Sequence, residues 1–270
     1  MAAEQIVLIT GASSGIGKAI GLHLLSKGYA VYGTTRNPDN YKEFTDFPLL
    51  QLDVREPESV QKCVQTLIDQ AGRIDVLVNN AGIGITGPVE ETPLDEMQAV
   101  FETNFYGPLR LIQEVLPAMR SQNGGTIINI TSIAGYMGLP FRGAYSASKG
   151  ALSLMTESLR LETKGQGIRI CSLAPGDFAT NIAQGRYHAP VIEGSPYEKT
   201  YGFSLDRIDE DVDGASDPIA VGKQIEHILN TAQPKVHYPV GEFLQKFSIK
   251  LKGLLPGTWY EKLLAQHYKL

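Results

Sequence analysis

The chain has 270 residues, 43% hydrophobic and 20% charged, with a net charge of −5 at neutral pH, which is enough apolar side chain to bury one substantial α/β core without a second domain. Its acidic balance and the lack of a long Lys/Arg run argue against a nucleic-acid partner. The opening Met1-Ala2-Ala3-Glu4-Gln5 lacks the basic and then apolar pattern of a leader or a membrane span, so a cytoplasmic protein without a transmembrane segment is expected.

In chain order, Gln5-Ile-Val-Leu-Ile-Thr10 predicts a short strand buried on both faces. Gly11-Ala-Ser-Ser-Gly15-Ile-Gly17 follows at once, and the amphipathic stretch 18–27 follows that. Strand, glycine turn and helix start together make an anion site. Glycines let another backbone approach, and the free amides and dipole of a new helix favour a pyrophosphate, so a dinucleotide is the natural ligand. The spacing departs from G-x-G-x-x-G, which would put a glycine at Ser13, and an ordinary strand-to-helix turn is the plain alternative.

Further strand-like runs lie at 30–34, 49–52, 76–78, 126–130, 169–173 and 236–238, and they alternate with helical patterns at 57–70, 95–119, 145–163 and 218–231. Such alternation predicts a single-domain α/β chain of the Rossmann type. It would have a doubly wound, seven-stranded parallel sheet with helices on both faces over 1–240, and ligands beyond the carboxyl ends of the strands.

Within the helix at 145–163, Tyr145 and Lys149 are four apart and share one face. A phenol with a cation held beside it ionises more readily and becomes a usable proton donor or acceptor near neutrality, which suits carbonyl reduction or its reverse. A plain helix-surface contact is the other reading of the pair alone. Cys63 and Cys171 show no metal or redox spacing and read as packed thiols. The five histidines are scattered, so no metal is expected.

Thr10-Gly-Ala-Ser-Ser-Gly-Ile-Gly17, Asn79-Asn-Ala-Gly82, Ser132, Tyr145 with Lys149, and Pro175-Gly176, in this order, resemble the short-chain dehydrogenase/reductase family. The likeness runs from about residue 5 to residue 239. It implies a catalytic tetrad of Asn104, Ser132, Tyr145 and Lys149. Ser132 would hydrogen-bond the reacting oxygen, Tyr145 would exchange its proton, Lys149 would favour the ionised phenol and bind the nicotinamide ribose, and Asn104 would hold a water that relays protons to Lys149.

For the cofactor, the resemblance implies a glycine turn of Gly11, Ser13, Ser14, Gly15, Ile16 and Gly17. Asp53, followed by Val54, would take the adenine amino group, and Asn79, Ala81 and Gly82 would line the ribose side. Pro175, Gly176, Phe178 and Thr180 would lead the chain past the nicotinamide. The acid that grips a ribose 2′-hydroxyl should lie about 20 residues beyond the glycines. Arg36 stands there instead, within Gly33-Thr-Thr-Arg-Asn37, and a guanidinium suits a 2′-phosphate. NADP(H) is therefore expected over NAD(H), with a solvated loop cation as the alternative role of Arg36.

After Ser132, the residues Tyr136, Met137, Leu139 and Phe141 suggest an apolar substrate pocket, or packing beneath a loop. Residues 178–217 have weak periodicity and read as a mobile lid, whose acidic run 206–213 would be a solvated surface. Residues 241–270 add a helical extension with Phe243, Leu244, Phe247 and Leu251 on one face, broken at Gly253 and Pro256, and then Trp259, Tyr260, Leu263 and Leu264. It would pack on the domain or a partner subunit, cover the cleft, or lie on a membrane surface.

These features look most like the 17-β-hydroxysteroid and retinol dehydrogenase branch, which implies a hydrophobic alcohol or ketone. Two other classes stay open: a 3-oxoacyl thioester reductase, which would want a basic rim near the lid, and a non-catalytic NADPH sensor, which would be expected to lack tetrad members. Met97, Val100, Phe101, Phe105 and Leu109 give the long helix an apolar face suited to a homodimer or homotetramer.

Overall fold

The computed structural model describes residues 4–176, 178, 185–213 and 217–270, with the side chains of 207–213 excepted. Nine strands and nine α-helices follow one another among these residues: β1 (Ile6–Ile9), α1 (Gly15–Leu25), β2 (Ala30–Thr35), β3 (Leu49–Gln51), α2 (Pro57–Ala71), β4 (Val76–Asn79), β5 (Ile85–Thr86), α3 (Leu94–Phe101), α4 (Gly107–Ser121), β6 (Gly125–Ile130), α5 (Gly143–Glu162), β7 (Ile168–Pro175), β8 (Tyr187–His188), α6 (Glu198–Asp213), α7 (Ile219–Leu229), β9 (His237–Val240), α8 (Phe243–Leu254) and α9 (Gly257–Tyr268).

Seven of the strands form one sheet in the order β3-β2-β1-β4-β6-β7-β9, with every neighbouring pair parallel. The doubly wound sheet expected from the alternation is the one observed. Its strands are buried on both faces because they alternate between two cores. Val7, Ile9, Val76, Val78, Ile128, Ile130, Cys171 and Leu173 join the core under α1 and α7. Ile6, Leu8, Leu77, Ile127, Ile168 and Ile170 join the core under α2 and α4. That is the two-residue side-chain period of a strand, with apolar residues on both faces. The strand order reverses between β1 and β4, and the carboxyl ends of these two strands open the crevice that holds the site.

Three elements differ from expectation. The helix expected at 95–119 is interrupted: α3 ends at Phe101, a π-helical turn spans Glu102–Tyr106, and α4 begins at Gly107. Single π turns of this kind often mark functional positions. Second, β5 and β8 make a separate two-stranded parallel pair. Two-residue strands show no period, which is why no sequence pattern marks them. Third, the stretch of weak periodicity contains the 16-residue helix α6. Tyr201 anchors it, buried, with its hydroxyl donating to the carbonyls of Ala189 (2.7 Å) and Thr86 (3.2 Å).

Cys63 and Cys171 are buried free thiols pushed up to about 12 by desolvation, consistent with packing and not with thiolate chemistry.

Candidate active site

The glycine turn sits at the end of β1, where φ is +65° at Gly11 and +54° at Gly15, values that side chains disfavour. A Cβ on Gly17 would stand 2.4 Å from the Gly11 carbonyl oxygen, 2.6 Å from Asn80 Nδ2 and 2.9 Å from Ala12 Cα. Two of those three obstacles are backbone and have nowhere to go. Gly17→Ala should therefore destabilise the fold by about 1–3 kcal/mol and weaken dinucleotide binding about tenfold or more. Thermal melting and a cofactor fluorescence titration would check this, and an unchanged melting temperature would show that the turn has slack.

Next to the turn lies a cavity of about 300 Å³ lined by Gly11, Ser13, Ser14, Gly15, Ile16 and Gly17, by Arg36, by Asp53, Val54 and Arg55, and by Asn80, Ala81 and Gly82. A cradle that a Cβ would fill, with helix amides at one end, fits a dinucleotide pyrophosphate. The turn is fixed from the β4 side. Thr10 Oγ1 accepts from Asn80 N and Ala81 N, both at 2.9 Å, and Asn80 Nδ2 donates to the carbonyls of Thr10 (2.9 Å) and Gly11 (3.1 Å).

Asn79 is a correction. Its side chain is buried in the sheet, donating to Asn129 Oδ1 at 2.9 Å, and Asn129 in turn donates to Thr156 Oγ1 at 2.9 Å. The cause is register, because Asn79 pairs directly with Asn129 as β4 ends, and it is Asn80 that reaches the cleft.

Arg36 is exposed at the cavity rim, and among the described residues its guanidinium has no hydrogen-bond or ion-pair partner. Asp53 is gripped by Arg55, with Nε to Oδ1 at 3.0 Å and Nη2 to Oδ2 at 2.6 Å. Those hydrogen bonds hold its carboxyl below the usual carboxylate range. Sequence reasoning misses Arg55. Its signal, a guanidinium two residues past an acid at a strand end, is too common to stand out.

The tetrad positions come from three places in the fold: the π turn, the loop after β6 and the start of α5. Ser132 caps the short 3₁₀ turn Ile133–Tyr136, accepting from Ala134 N at 3.1 Å. Among the described residues its hydroxyl donates only weakly, at 3.5 Å to the Pro175 carbonyl, so that proton is available to a ligand oxygen. Tyr145 and Lys149 lie one turn apart at the start of α5. Lys149 is buried and donates to the Ile130 carbonyl at 3.0 Å, and desolvation depresses its ammonium to about 8.

Asn104 sits in the π turn, wholly buried. Its amide exchanges a reciprocal pair of 2.9 Å hydrogen bonds with the backbone of Ile83 and donates to Ser148 Oγ at 3.2 Å. It thereby clamps the loop after Gly82 onto α5. A Cβ on Gly82 would meet Asn104 Oδ1 at 3.2 Å and Lys149 Nζ at 3.3 Å, so these two groups converge on one glycine. With most of its hydrogen-bonding capacity spent on protein partners, the Asn104 side chain is chiefly a clamp, and the expected water relay gains no support from it.

One neighbour of the phenol carries no signal in the sequence. The Arg142 guanidinium lies over the Tyr145 ring, 5.5 Å from its centroid, and adds a cation that the spacing of Tyr145 and Lys149 does not reveal.

The expected substrate residues sit in packing contacts. Met137 is buried with Ile133 and Tyr260, and Tyr136 is partly buried beside them, its ring centroid 6.1 Å from that of His237. Phe141, at φ +60°, packs against Tyr201 (5.3 Å) and Tyr197 (6.4 Å), and its carbonyl accepts from Gly87 N at 2.8 Å. Pro175 ends β7. Gly176 donates to the Val240 carbonyl at 2.7 Å, and the Gln245 side chain of α8 lies against it and would have to shift for a Cβ. Phe178 is buried in the α1/α7 core, and Thr180 lies outside the described residues.

Known proteins resemble this chain in sequence and fold. A family model described as short chain dehydrogenase matches residues 5–190. The chain is 37% identical over 267 residues to the 3-ketodihydrosphingosine reductase of Bacteroides thetaiotaomicron, with 98% of each chain covered. It is 39% identical over 203 residues to retinol dehydrogenase 8 of Homo sapiens, covering 70% of this chain and 64% of that one. The solved structure of a short-chain dehydrogenase from Streptomyces avermitilis superposes with a TM-score of 0.82 at 31% identity, over 97% of this chain and 98% of the other. Further solved structures of the same fold hold NADP or NADH.

Proposed function

The chain belongs to the short-chain dehydrogenase family, oxidoreductases that act on alcohol and carbonyl groups with a nicotinamide cofactor, and on that premise we propose that it is an NADP(H)-dependent reductase of a hydrophobic ketone. The observation that carries the cofactor preference is Arg36: a guanidinium at the cavity rim that, among the described residues, makes no hydrogen bond or ion pair, with no carboxylate at the end of β2 to oppose a 2′-phosphate. The nearest acid lining the cavity, Asp53, already faces Arg55.

A nicotinamide, when bound, supplies or accepts the hydride. In reduction, Ser132 and Tyr145 hydrogen-bond the carbonyl oxygen, and Tyr145 delivers the proton as charge grows there. Lys149 holds positive charge one turn along the helix from the phenol, and Arg142 adds a second cation over its ring. Tyr136, Leu139 and Phe141, beside the loop after Ser132, are only partly buried, and this apolar surface supports a hydrophobic substrate. The full-length similarity to a 3-ketodihydrosphingosine reductase favours a ketone on a long hydrocarbon chain, and the partial similarity to a retinol dehydrogenase supports a retinoid or steroid as the second reading.

Turnover of NADPH and NADH with 3-ketodihydrosphingosine, retinaldehyde, a steroid ketone and a small water-soluble ketone tests this reading. NADPH should be preferred, and Arg36→Ala should cut that preference about tenfold to a hundredfold, from the loss of one or two charge-assisted hydrogen bonds. Equal use of NADH by the unaltered enzyme would overturn the cofactor assignment, and turnover of the water-soluble ketone alone would overturn the substrate class.

Two copies are proposed to pair through α3 and α5. Leu94, Tyr106, Leu154 and Leu161 are exposed there, beside an apolar groove of about 470 Å³ that includes Met97 and Phe101. Of the face expected from the sequence, Val100 instead points into the protein, being 1% exposed.

A further inference from the structure

The C-terminal helices present the wrong side to the protein for an ordinary packed pair. Ile249, Leu255, Tyr260 and Leu264 pack against Ile133, Tyr136 and Met137, while the more apolar face of α8 is turned outward. Phe243 is 74% exposed, Leu244 73% and Leu254 79%, with Phe247 exposed beside them. The rings of Phe243 and Phe247 stack on each other with centroids 5.9 Å apart, and neither joins a core cluster. Residues 243, 247 and 254 line one stripe of a helix, about 17 Å long at 1.5 Å per residue. On α9, Trp259 (65%) and Leu263 are exposed in the same way.

Charge distinguishes this surface from a protein interface. Residues 242–270 carry five lysines and two glutamates, whereas the whole chain is at −5, so a basic segment is attached to an acidic body. Lys246, Lys250 and Lys262 are exposed alongside the apolar residues. A two-fold pairing of this face with a second copy would bring those lysines towards each other, which costs energy, whereas an anionic surface would attract them all. Phe, Leu and Trp backed by Lys on a short helix is the composition of an element that lies in a bilayer interface. No described helix is long and apolar enough to cross a membrane.

We propose that α8 and α9 dock this protein on the surface of an anionic lipid bilayer, with Phe243, Phe247, Leu254 and Trp259 entering the interface and Lys246, Lys250 and Lys262 meeting the headgroups. The helices that dock also touch the catalytic loop, since Gln245 lies on Gly176, Lys252 Nζ donates to the Tyr136 carbonyl at 2.5 Å, and Tyr260 packs on Met137. The membrane-facing surface and the active site are therefore neighbours.

Flotation of the full chain with phosphatidylcholine vesicles, with and without phosphatidylglycerol, tests this without any substrate, so its outcome is independent of the substrate reading. The protein should float with the anionic vesicles and much less with the neutral ones, and added salt should release it. Phe243→Ser with Phe247→Ser, and separately Lys246→Glu with Lys250→Glu, should each lower partitioning at least about tenfold. All four side chains are exposed, so melting temperature and NADPH binding should hold. Absence of the wild-type chain from anionic vesicles, or equal flotation of either double variant, would overturn the proposal. A halved mass by light scattering in the phenylalanine variant, with no flotation of the wild type, would assign the face to a second copy instead.

Discussion

Tyr145→Phe should lower kcat/KM for carbonyl reduction by about 10²–10⁴ while leaving NADPH affinity within a few-fold of the wild type. The substitution removes one oxygen and keeps the ring, so the aromatic surface beneath the Arg142 guanidinium survives. What disappears is the proton donor for the oxygen that becomes negative. Ser132 can still hydrogen-bond that oxygen, which leaves some stabilisation without proton delivery. Steady-state kinetics with a parallel fluorescence titration of cofactor check the split. Retained turnover would show that another group supplies the proton. A parallel collapse of NADPH binding would show instead that Tyr145 holds the cofactor more than it serves the chemistry.

Lys149→Met should have an effect of comparable size on turnover, about 10²–10³, together with a change in how stability depends on pH. Lys149 is buried, and desolvation brings it down to about 8 from the ordinary lysine value. An unfolded chain binds that proton more tightly than the folded one, so folding without cofactor is penalised below about pH 8. The penalty is relieved as pH rises from there through the unfolded value near ~10.4. The full relief is worth about 3 kcal/mol, at about 1.4 kcal/mol for each pH unit that separates the folded and unfolded values. Against it stands the hydrogen bond to the Ile130 carbonyl, which methionine cannot replace, at about 1–3 kcal/mol for an unsatisfied buried acceptor. At neutral pH the cofactor-free variant should therefore melt within a few degrees of the wild type or above it. Its stability should lose the component of the wild-type rise between about pH 8 and 10 that Lys149 contributes. Denaturant unfolding at pH 7, 8.5 and 10 measures this difference. Identical pH slopes for the two proteins would show that Lys149 is not held against its ionisation.

On the proposed reading, this buried lysine is the cation that assists the phenol. Asn104 ties the loop after Gly82 to α5 through Ile83 and Ser148, and Gly82 leaves space into which both Asn104 Oδ1 and Lys149 Nζ project. The cation is held by its hydrogen bond to the Ile130 carbonyl at the carboxyl end of β6, beside Asn104 and Gly82. Fixed charge in a site sheltered from water is what makes electrostatic assistance effective.

The sequence by itself determined the parts of this protein that follow from short-range periodicity. Unbroken apolar runs in β1 and β4, and largely apolar ones in β6 and β7, call for burial on both faces, and alternation with helices requires parallel strands. The glycine turn is legible because Gly11 and Gly15 need left-handed backbone and Gly17 has no space for a side chain. Tyr145 and Lys149 are legible because four residues along a helix return to the same face. Only the tertiary structure decided the rest, because each of those outcomes depends on a partner distant in the chain or on the path of a loop. Asn79 and Asn80 are chemically identical in the sequence, and register against Asn129 buries the first and leaves the second to the cleft. Tyr201 docks α6 through carbonyls at 86 and 189, where no local pattern marks a helix. Two neighbours also depend on how the chain folds back: Arg142 meets the Tyr145 ring only through the turn that opens α5, and Arg55 closes on Asp53 only where β3 gives way to α2. The C-terminal helices show the limit most plainly. Periodicity identifies the apolar face of Phe243, Leu244 and Phe247, but which face turns inward was set by the loop after Ser132, which accommodates Ile249 and Tyr260 and leaves the stronger face in solvent.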